Sequence, residues 1–300
     1  MVLEGPALTF RQAGQVEPVR VGGIGYLNAL PLTRYLVAEG NPVLSISRHL
    51  PSALAEKLRC GELDIALVPV VEYLARKAYR VLPGISIASY GEVRSIRFFH
   101  RRELSQLRCV GIDDSSRTSA ALTRILLHDL WKSSPELVSV SPSEALQALN
   151  LNGKLEGRDE LDAFLLIGDS ALAVDAQSGW SCIDLGTEWT RWTGLPFVYA
   201  FWVWHGGPAP AGLVQKFTAA KKEGLARIDD IVREHCAIAG EDPIASRHYL
   251  HRTIQYDLNS LHVEGLLEYV RRLEALKILP RIVRSTASSE SLLQWVEESP

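Results

Sequence analysis

The sequence is poor in the residue clusters that mark metal-binding and disulfide-rich proteins. It has 4 cysteines, which are Cys60, Cys109, Cys182 and Cys236. They lie far apart and form no CxxC or Cys/His cluster, so neither a zinc site nor a disulfide framework is indicated. We interpret all of them as small buried thiols. The 8 histidines follow no HExxH or similar metal-ligand spacing, and we expect those in "REHC" and "RHYLHR" to take no part in a site.

The sequence also lacks an excess of positive charge. Its formal net charge is -3, its pI is near 6.3, and no Lys/Arg cluster alternates with aromatic residues. Such a chain supplies no basic field for a polyphosphate, so nucleic acid is not an expected partner.

Long apolar runs are absent too. No stretch approaches the roughly 20 uninterrupted apolar residues of a membrane span. The opening "MVLEGPALTFRQAGQVEPVR" has no basic segment followed by an apolar one of signal-peptide length. We therefore expect a cytoplasmic protein with no membrane partner.

What the sequence does contain is a repeated alternation of strand and helix patterns. With 300 residues, 47% of them hydrophobic, it exceeds the usual size of a single core, which favours two lobes. Apolar runs predict strands at 19–24, 65–68, 108–113 and 162–168, two strand pieces within "GISIASYGEVRSIRFFH" and a further strand in "GLPFVYAFWVWH". Helical spacing or capping predicts helices around Leu54 and Leu58, over 70–77 and 118–131, and after Ser141, with the carboxyl third mainly helical, notably at 213–236 and 263–277. The fold class is therefore α/β, with lobe 1 formed by 19–98 plus 199–300, lobe 2 by 99–198, and crossings near His100 and Phe197.

Open α/β sheets bind ligands where their strands end, so candidate site residues should follow strands. Asn28 follows the first strand, and Ser95 lies in the crossover segment. "DDSSRTS" and "GDSA" each follow a later strand. We expect these segments to meet in a cleft between the lobes.

"DDSSRTS" has the composition of a capped helix start that can bind an anion. Ser115 or Ser116 can cap a helix whose first amides belong to Arg117, Thr118 and Ser119. These amides, with the hydroxyls of Ser116, Thr118 and Ser119, could hold a carboxylate or phosphate. The alternative is an ordinary capped helix without a ligand. Arg117 either clamps a carboxylate or pairs with Asp113 or Asp114.

The other candidates also have two interpretations. Gly168 allows close approach of the backbone, and we interpret Asp169 as the cap of a following turn rather than a base. Asn28 is either a neutral hydrogen-bonding group in the cleft or a turn residue that bonds its own loop. Ser95 is either a site hydroxyl or an ordinary strand serine. No His/Asp arrangement makes Ser95 a nucleophile, so hydrolase chemistry is not indicated.

Six motifs together resemble one family over nearly the whole chain. They are "YLNALPL", "LAEKLRCGELDIALVPVVEYL", "ISIASYGEVRSI", "DDSSRTSAAL", "LIGDSAL" and "EWTRWTGLPFVYAFW". In order and wording this set is similar to the chorismate dehydratases of the futalosine route to menaquinone. The resemblance implies a two-lobed fold like that of type II periplasmic binding proteins, with two crossovers and the ligand held between the lobes.

The resemblance also implies an activity: loss of water from chorismate, a dicarboxylate, to give 3-(1-carboxyvinyloxy)benzoate without a metal or organic cofactor. It places Asn28 and Ser95 in catalytic positions. From the helix start in "DDSSRTS" and the turn in "GDSA", we assign a substrate-binding role to Ser116, Arg117, Thr118, Ser119, Gly168 and Asp169. The base is either an acidic side chain such as Asp169 or the enolpyruvyl carboxylate of the substrate itself. A solute receptor of the same fold and the related futalosine-route cyclase are the competing interpretations. The sequence does not indicate an oligomeric state.

Overall fold

A computed structural model describes residues 17–40, 42–49, 51–75, 79–113, 117–155, 160–174, 179–205 and 209–278. The strands in these ranges are β1 (Val19–Gly23), β2 (Leu44–Arg48), β3 (Ile65–Pro69), β4 (Tyr79–Ser89), β5 (Ile96–His100), β6 (Cys109–Ile112), β7 (Glu136–Ser139), β8 (Ala163–Ile167), β9 (Ser181–Asp184) and β10 (Phe197–His205). The α-helices are α1 (Leu30–Thr33), α2 (Pro51–Arg59), α3 (Val70–Leu74), α4 (Arg117–Ile125), α5 (Pro142–Asn150), α6 (Asp169–Leu172), α7 (Leu185–Thr193), α8 (Leu213–Ala226), α9 (Ile228–Ala239), α10 (Pro243–His248) and α11 (Ser260–Ala275).

The strands form two five-stranded sheets of the same design. Their orders are β2-β1-β3-β10-β4 and β7-β6-β8-β5-β9. In the first sheet β1 is parallel to β2 and β3, and β10 is antiparallel to β3 and β4. In the second, β6 is parallel to β7 and β8, and β5 is antiparallel to β8 and β9. The predicted two-lobed α/β fold is confirmed, with mixed rather than purely parallel sheets.

The sheets are joined by two crossing segments. The first lies between Ser89, where β4 ends, and Ile96, where β5 begins in the second sheet. The second follows α7 and ends where β10 re-enters the first sheet. The predicted limits at 98/99 and 198/199 therefore fall inside β5 and β10. The extent of each lobe stays a prediction, which we now draw at these crossing segments.

Local chemistry accounts for the elements that the sequence predicts well. All five residues of β3 are buried, as expected for an interior strand flanked by β1 and β10. At the start of α5, the Glu144 backbone N–H donates to Ser141 Oγ at 3.2 Å. The Ser141 N–H donates to the Glu144 carboxylate at 2.7 Å. This is the predicted capping box, with Pro142 in the first helical turn.

Four local predictions need correction. The predicted helix over 213–236 is two helices, because the chain breaks at Arg227. The helix predicted over 118–131 is α-helical only to Ile125 and continues as a π-helical turn, Leu126–Leu130. α3 ends at Leu74, and residues 76–78 lie outside the described ranges. Cys109 and Cys236 are buried as expected, but Cys182 is half-buried and Cys60, in the turn after α2, is exposed.

Within the described ranges, no helix combines the length and apolar character that crossing a bilayer would require.

Candidate active site

A cavity lies where strands of the two sheets end against each other. Its described walls include Ile24 after β1, Pro69 at the end of β3 and Ile167 at the end of β8. We call this the site cavity, and its described lining residues are Ile24, Tyr26, Asn28, Pro69, Ile87, Ser95, Ile96, Ser119, Ile167, Gly168, Tyr199 and Ala200. Four of the residues singled out in the sequence therefore line one cavity: Asn28, Ser95, Ser119 and Gly168.

Asn28 reaches the cavity from a 3-10 turn, Leu27–Ala29, between β1 and α1. Leu27 and Ala29 are buried on either side of it, and the Ala29 N–H donates to the Tyr26 carbonyl at 2.9 Å. The turn is thus closed by its own backbone and by apolar packing. The Asn28 side chain instead forms a hydrogen bond with the Tyr249 phenol.

Ser95 lies just before β5 and is 2% exposed. Its carbonyl accepts a hydrogen bond from the Gly168 N–H at 2.8 Å. Its hydroxyl accepts one from the Tyr249 phenol, also at 2.8 Å. The preceding residue, Arg94, has a φ of 61°, a left-handed conformation that is unusual for a residue other than glycine. Ser95 is therefore held firmly at the boundary between the sheets.

The backbone before Ser95 is fixed by one carboxylate. Asp184, the last residue of β9, accepts hydrogen bonds from Val93 N at 3.0 Å and Arg94 N at 2.6 Å. It also caps α7 by accepting from Thr187 N at 2.9 Å. One half-buried side chain thus joins the crossing segment, the second sheet and a helix start.

The start of α4 contributes in a different way from the one the sequence suggests. Ser116 lies outside the described residues, as do Asp114 and Ser115. The Thr118 hydroxyl oxygen accepts a hydrogen bond from Val71 N at 3.1 Å, and the Thr118 carbonyl accepts one from Tyr269 at 3.0 Å. The Thr118 side chain is therefore used to join α4 to α3. Ser119 lines the site cavity.

Arg117 points away from the site cavity. Its side chain is 56% exposed and pairs with Glu72 on α3 at 2.5 Å. Glu72 is not among the partners that the local sequence suggests for Arg117, which are a ligand carboxylate, Asp113 and Asp114. The pair bridges α4 to the other lobe.

Asp169 does not cap its own turn, contrary to the sequence interpretation. The N-cap of α6 is Gly168, and α6 has no side-chain cap. Asp169 Oδ1 accepts instead from the Leu27 N–H, 3.3 Å away on the Asn28 turn. Burial raises the pKa of Asp169, and the Leu27 hydrogen bond only partly offsets this. Gly168 has a φ of 67°, and a side chain there would face the Tyr26 ring.

Two residues near Asp169 were overlooked in the sequence. His235 on α9 and Glu241 after it have side-chain atoms that, with those of Asp169, all lie within 4.8 Å of one another. His235 Nε2 lies 3.3 Å from the Glu241 carboxylate. An imidazole and two carboxylates have the donor types that bind a divalent metal ion. The "REHC" segment gives no such signal, and the expectation of a metal-free protein stays a prediction.

The site cavity presents neutral hydrogen-bonding groups. None of its described lining residues carries a formal charge. Burial raises the pKa of Tyr199 well above its ordinary value and also raises that of Tyr26, to which Asp113 and Asp169 contribute. Both phenols therefore keep their protons at neutral pH. Tyr26 adds a donor to those of Asn28, Ser95 and Ser119, whereas the Tyr199 phenol is hydrogen-bonded to Ser89 at 2.9 Å.

A second cavity, of about 330 Å³, adjoins this region. We call it the neighbouring cavity, and its described lining includes Arg94, Leu172, Glu241, Ser246 and Tyr249. Arg94 brings a guanidinium to it, and Tyr249 borders it while bonding to Ser95. Unlike the site cavity, the neighbouring cavity is lined by charged residues of both signs, namely Arg94, Glu241 and Asp242.

The two sheets, their paired crossings and the cavity between them define a two-lobed α/β protein of the periplasmic-binding-protein type. The periplasmic aliphatic sulphonate binding protein SsuA from Escherichia coli has this fold with a TM-score of 0.62 at 15% identity, over 89% of this chain and 91% of that one. The chain belongs to the menaquinone biosynthesis family, whose sequence pattern matches residues 19–275.

Two curated relatives are similar over most of their length. The chorismate dehydratase of Thermus thermophilus is 31% identical over 253 residues, which cover 78% of this chain and 88% of that protein. The chorismate dehydratase of Campylobacter jejuni is 26% identical over 264 residues, covering 86% of this chain and 98% of that protein. The family resemblance stated from the motifs is therefore confirmed.

Proposed function

We propose that this protein is a chorismate dehydratase, a hydro-lyase that converts chorismate to 3-(1-carboxyvinyloxy)benzoate and water in the cytoplasm. The observation that carries the proposal is the convergence of Asn28, Ser95, Ser119 and Gly168 on one cavity between the lobes. Membership of the menaquinone biosynthesis family and the names of the curated relatives support the same activity.

The reaction needs a developing negative charge to be stabilised while a hydroxyl group leaves. The ring carbon that bears the enolpyruvyl ether loses its proton, and the electrons spread toward the ring carboxylate. The bond between the neighbouring ring carbon and its hydroxyl oxygen then breaks, and its electron pair stays on the oxygen. The ring becomes aromatic, and the oxygen takes up a proton to leave as water. Preorganised donors at the sites where charge develops account for a large share of such rate enhancements.

Asn28 and Ser95 are the groups that we assign to the reacting centre. Both are neutral, both reach the site cavity, and the hydrogen bonds around Ser95 hold its hydroxyl in place. Their role is to orient the substrate and to donate hydrogen bonds toward the departing hydroxyl.

The start of α4 and the Gly168 turn are the groups that we assign to substrate binding. Ser119, Gly168 and Asp169 lie at or beside the site cavity. Arg117 and Thr118 would contribute backbone amides at the positive end of α4 for the ring carboxylate, because their side chains join α4 to α3.

The base is either Asp169 or the enolpyruvyl carboxylate of the substrate. A raised pKa is compatible with Asp169 as a base, because it strengthens proton affinity. Replacement by asparagine separates the two cases. Asp169→Asn abolishes turnover if the side chain takes the proton, and it leaves measurable turnover if the substrate carboxylate does.

The test incubates purified protein with chorismate, without added metal or cofactor, and follows products by chromatography with mass detection. We expect an aromatic product lighter than chorismate by one water. Asn28→Ala and Ser95→Ala should each lower kcat by about a hundredfold, the usual effect of removing one donor to a developing charge. Ser133→Ala is the matched control, because Ser133 is also buried and its hydroxyl has no hydrogen-bond partner among the described residues.

The outcomes distinguish the competing functions. Tight chorismate binding without turnover would point to a solute receptor. Turnover of a futalosine-derived compound but not of chorismate would point to the related cyclase. Equal losses in Ser95→Ala and Ser133→Ala would remove Ser95 from the reacting centre.

A further inference from the structure

Tyr249 connects the two residues assigned to the reacting centre. It is 1% exposed and begins a π-helical turn, Tyr249–Thr253, directly after α10. Its phenol donates to Ser95 Oγ at 2.8 Å and forms a second hydrogen bond with the Asn28 side chain. Three groups far apart in the chain therefore meet at one phenol oxygen. Short π-helical segments are rare and frequently occur at functional sites.

The number of available protons fixes the direction of these hydrogen bonds. A phenol has one proton, and that of Tyr249 is donated to Ser95. The bond to Asn28 must therefore be donated by the Asn28 amide. Ser95 receives a proton at its oxygen, so its own hydroxyl proton is left for another acceptor, and Ser95 lines the site cavity. The hydrogen bonds run from Asn28 through Tyr249 to Ser95 and then toward the ligand.

We propose that Tyr249 is a positioning residue that holds the Ser95 hydroxyl as a hydrogen-bond donor toward the departing hydroxyl of the substrate. This inference rests on the proposed dehydratase function. Without the phenol, the Ser95 hydroxyl could rotate and direct its proton to a protein acceptor. Consecutive hydrogen bonds that share one direction also strengthen each other, so Ser95 becomes a better donor than an isolated serine.

No proton leaves Tyr249 in this arrangement. Burial raises the pKa of its phenol far above neutral pH, although the hydrogen bonds to Ser95 and with Asn28 lower it in part. In the reaction, the carbon–oxygen bond breaks with its electron pair on oxygen. That oxygen is stabilised by Ser95 and takes up the proton that the base removed from the ring carbon. One C–H bond and one C–O bond thus break, and one O–H bond of water and one C=C bond of the aromatic ring form.

A double-mutant cycle tests whether Tyr249 acts through Ser95. Steady-state kinetics with chorismate are measured for wild type, Tyr249→Phe, Ser95→Ala and the double variant. We expect Tyr249→Phe to lower kcat by about tenfold to a hundredfold, because Ser95 and Asn28 each lose a buried partner. KM should change by less than about threefold, since the benzene ring keeps the packing. In the Ser95→Ala background the same substitution should lower kcat by a clearly smaller factor, at most about fivefold, because only the hydrogen bond with Asn28 is then lost.

Tyr256→Phe is the matched control. Tyr256 is buried, but its hydroxyl has no hydrogen-bond partner in the described part of the chain. Its removal should leave kcat within about twofold of wild type. Thermal unfolding of every variant checks that a lower rate does not reflect loss of folded protein.

The results separate this inference from the proposed function. If wild type does not convert chorismate, the dehydratase proposal fails and this inference fails with it. If wild type converts chorismate but Tyr249→Phe matches Tyr256→Phe, only the inference is overturned. Equal effects of Tyr249→Phe with and without Ser95 would also overturn it, because the phenol would then act independently of the serine.

Discussion

The hydrogen bonds that Asp184 accepts predict how strongly its replacement should lower the free energy of unfolding. Its carboxylate accepts from Val93 N at 3.0 and 3.1 Å, from Arg94 N at 2.6 Å and from Thr187 N at 2.9 Å. The Thr187 bond is the N-cap of α7. The other bonds hold the segment that leads into Ser95. Replacing Asp184 therefore removes the acceptor for three backbone N–H groups at once.

The expected magnitude follows from these contacts. Loss of an N-cap costs about 0.5–2 kcal/mol, and each further buried donor left unpaired costs about 1–3 kcal/mol. Asp184 is half-buried, so water can reach some of these donors and the lower values apply. We expect Asp184→Ala to lower the free energy of unfolding by about 3 kcal/mol. Asp184→Asn, which keeps one acceptor oxygen, should lower it by about 1 kcal/mol.

Urea unfolding measures the effect by linear extrapolation, with an unchanged m-value as the sign that the unfolding transition is comparable. Glu234→Ala is the control, because Glu234 pairs with Arg34 at the surface and the two side chains are 52% and 46% exposed. Such exposed pairs contribute about 0–1 kcal/mol. A loss in Asp184→Ala no larger than that in Glu234→Ala would refute the assignment of Asp184 as the support of this segment.

Three further predictions concern ionisation, packing and charge. Burial raises the pKa of Asp169 in the folded protein above its value in the unfolded chain. Below the unfolded pKa the protonated carboxyl therefore contributes its full stability, and this contribution is lost as pH rises through the folded-state pKa. Urea unfolding should therefore show that Asp169→Asn is more stable than wild type at about pH 7, and that this difference vanishes near about pH 3.5. The same stability difference at both pH values would contradict this prediction. A methyl group on Gly224 would overlap the Pro31 carbonyl, whereas one on Gly25 meets nothing within 4 Å. Gly224→Ala should therefore lower the melting temperature by about 5 °C, and Gly25→Ala by less than about 2 °C. Arg94→Gly relieves a left-handed φ of 61° and should not lower the melting temperature. It should raise KM for the dianionic substrate by about tenfold, whereas Arg94→Lys, which keeps the positive charge, should raise KM less. An unchanged KM in Arg94→Gly would exclude Arg94 from substrate binding.

The sequence predicts best those elements that local chemistry determines. The Ser141/Glu144 capping box forms as expected because both of its hydrogen bonds lie within four consecutive residues. The buried run of β3 is correct because its apolar residues leave few alternatives to an interior strand. β2, β7 and β9 received no prediction. They lie at the outer positions of the sheets, and their exposed, polar residues lack the continuous apolar pattern of an interior strand.

Long-range packing explains the incorrect predictions. Helical periodicity continues across Arg227, yet the chain breaks there, three residues after the close contact between Gly224 and Pro31. Asp169 has the local position of a cap, but its carboxylate bonds to Leu27, 142 residues earlier. No short segment of sequence contains either partner.

The residues of the site could likewise be predicted only in part from short segments of sequence. Asn28 and Ser95 were identified because they lie in motifs that resemble a known family, and the structure then brings them to one cavity. Tyr249 lies in "RHYLHR", 154 residues from Ser95, and nothing in that segment distinguishes it from other buried tyrosines. The strand ends predicted that Asn28 and Ser95 would lie at one cavity, but Tyr249 comes from the carboxyl third, which the sequence analysis described only as mainly helical.

The neutral walls of the site cavity constrain how a dianionic substrate could be held. Donors in a water-poor, uncharged environment act more strongly on a developing charge than the same groups in water. A full positive charge beside a carboxylate that is ionised in both states would stabilise the bound substrate as well as the transition state, and such uniform binding does not raise kcat. On the proposed function, the carboxylates are therefore expected to be neutralised away from the departing hydroxyl, by the amides at the start of α4 and by Arg94, which lines the neighbouring cavity. This arrangement assigns charge recognition and elimination to different groups, so Arg94 variants should mainly change KM, whereas Ser95 and Tyr249 variants should mainly change kcat.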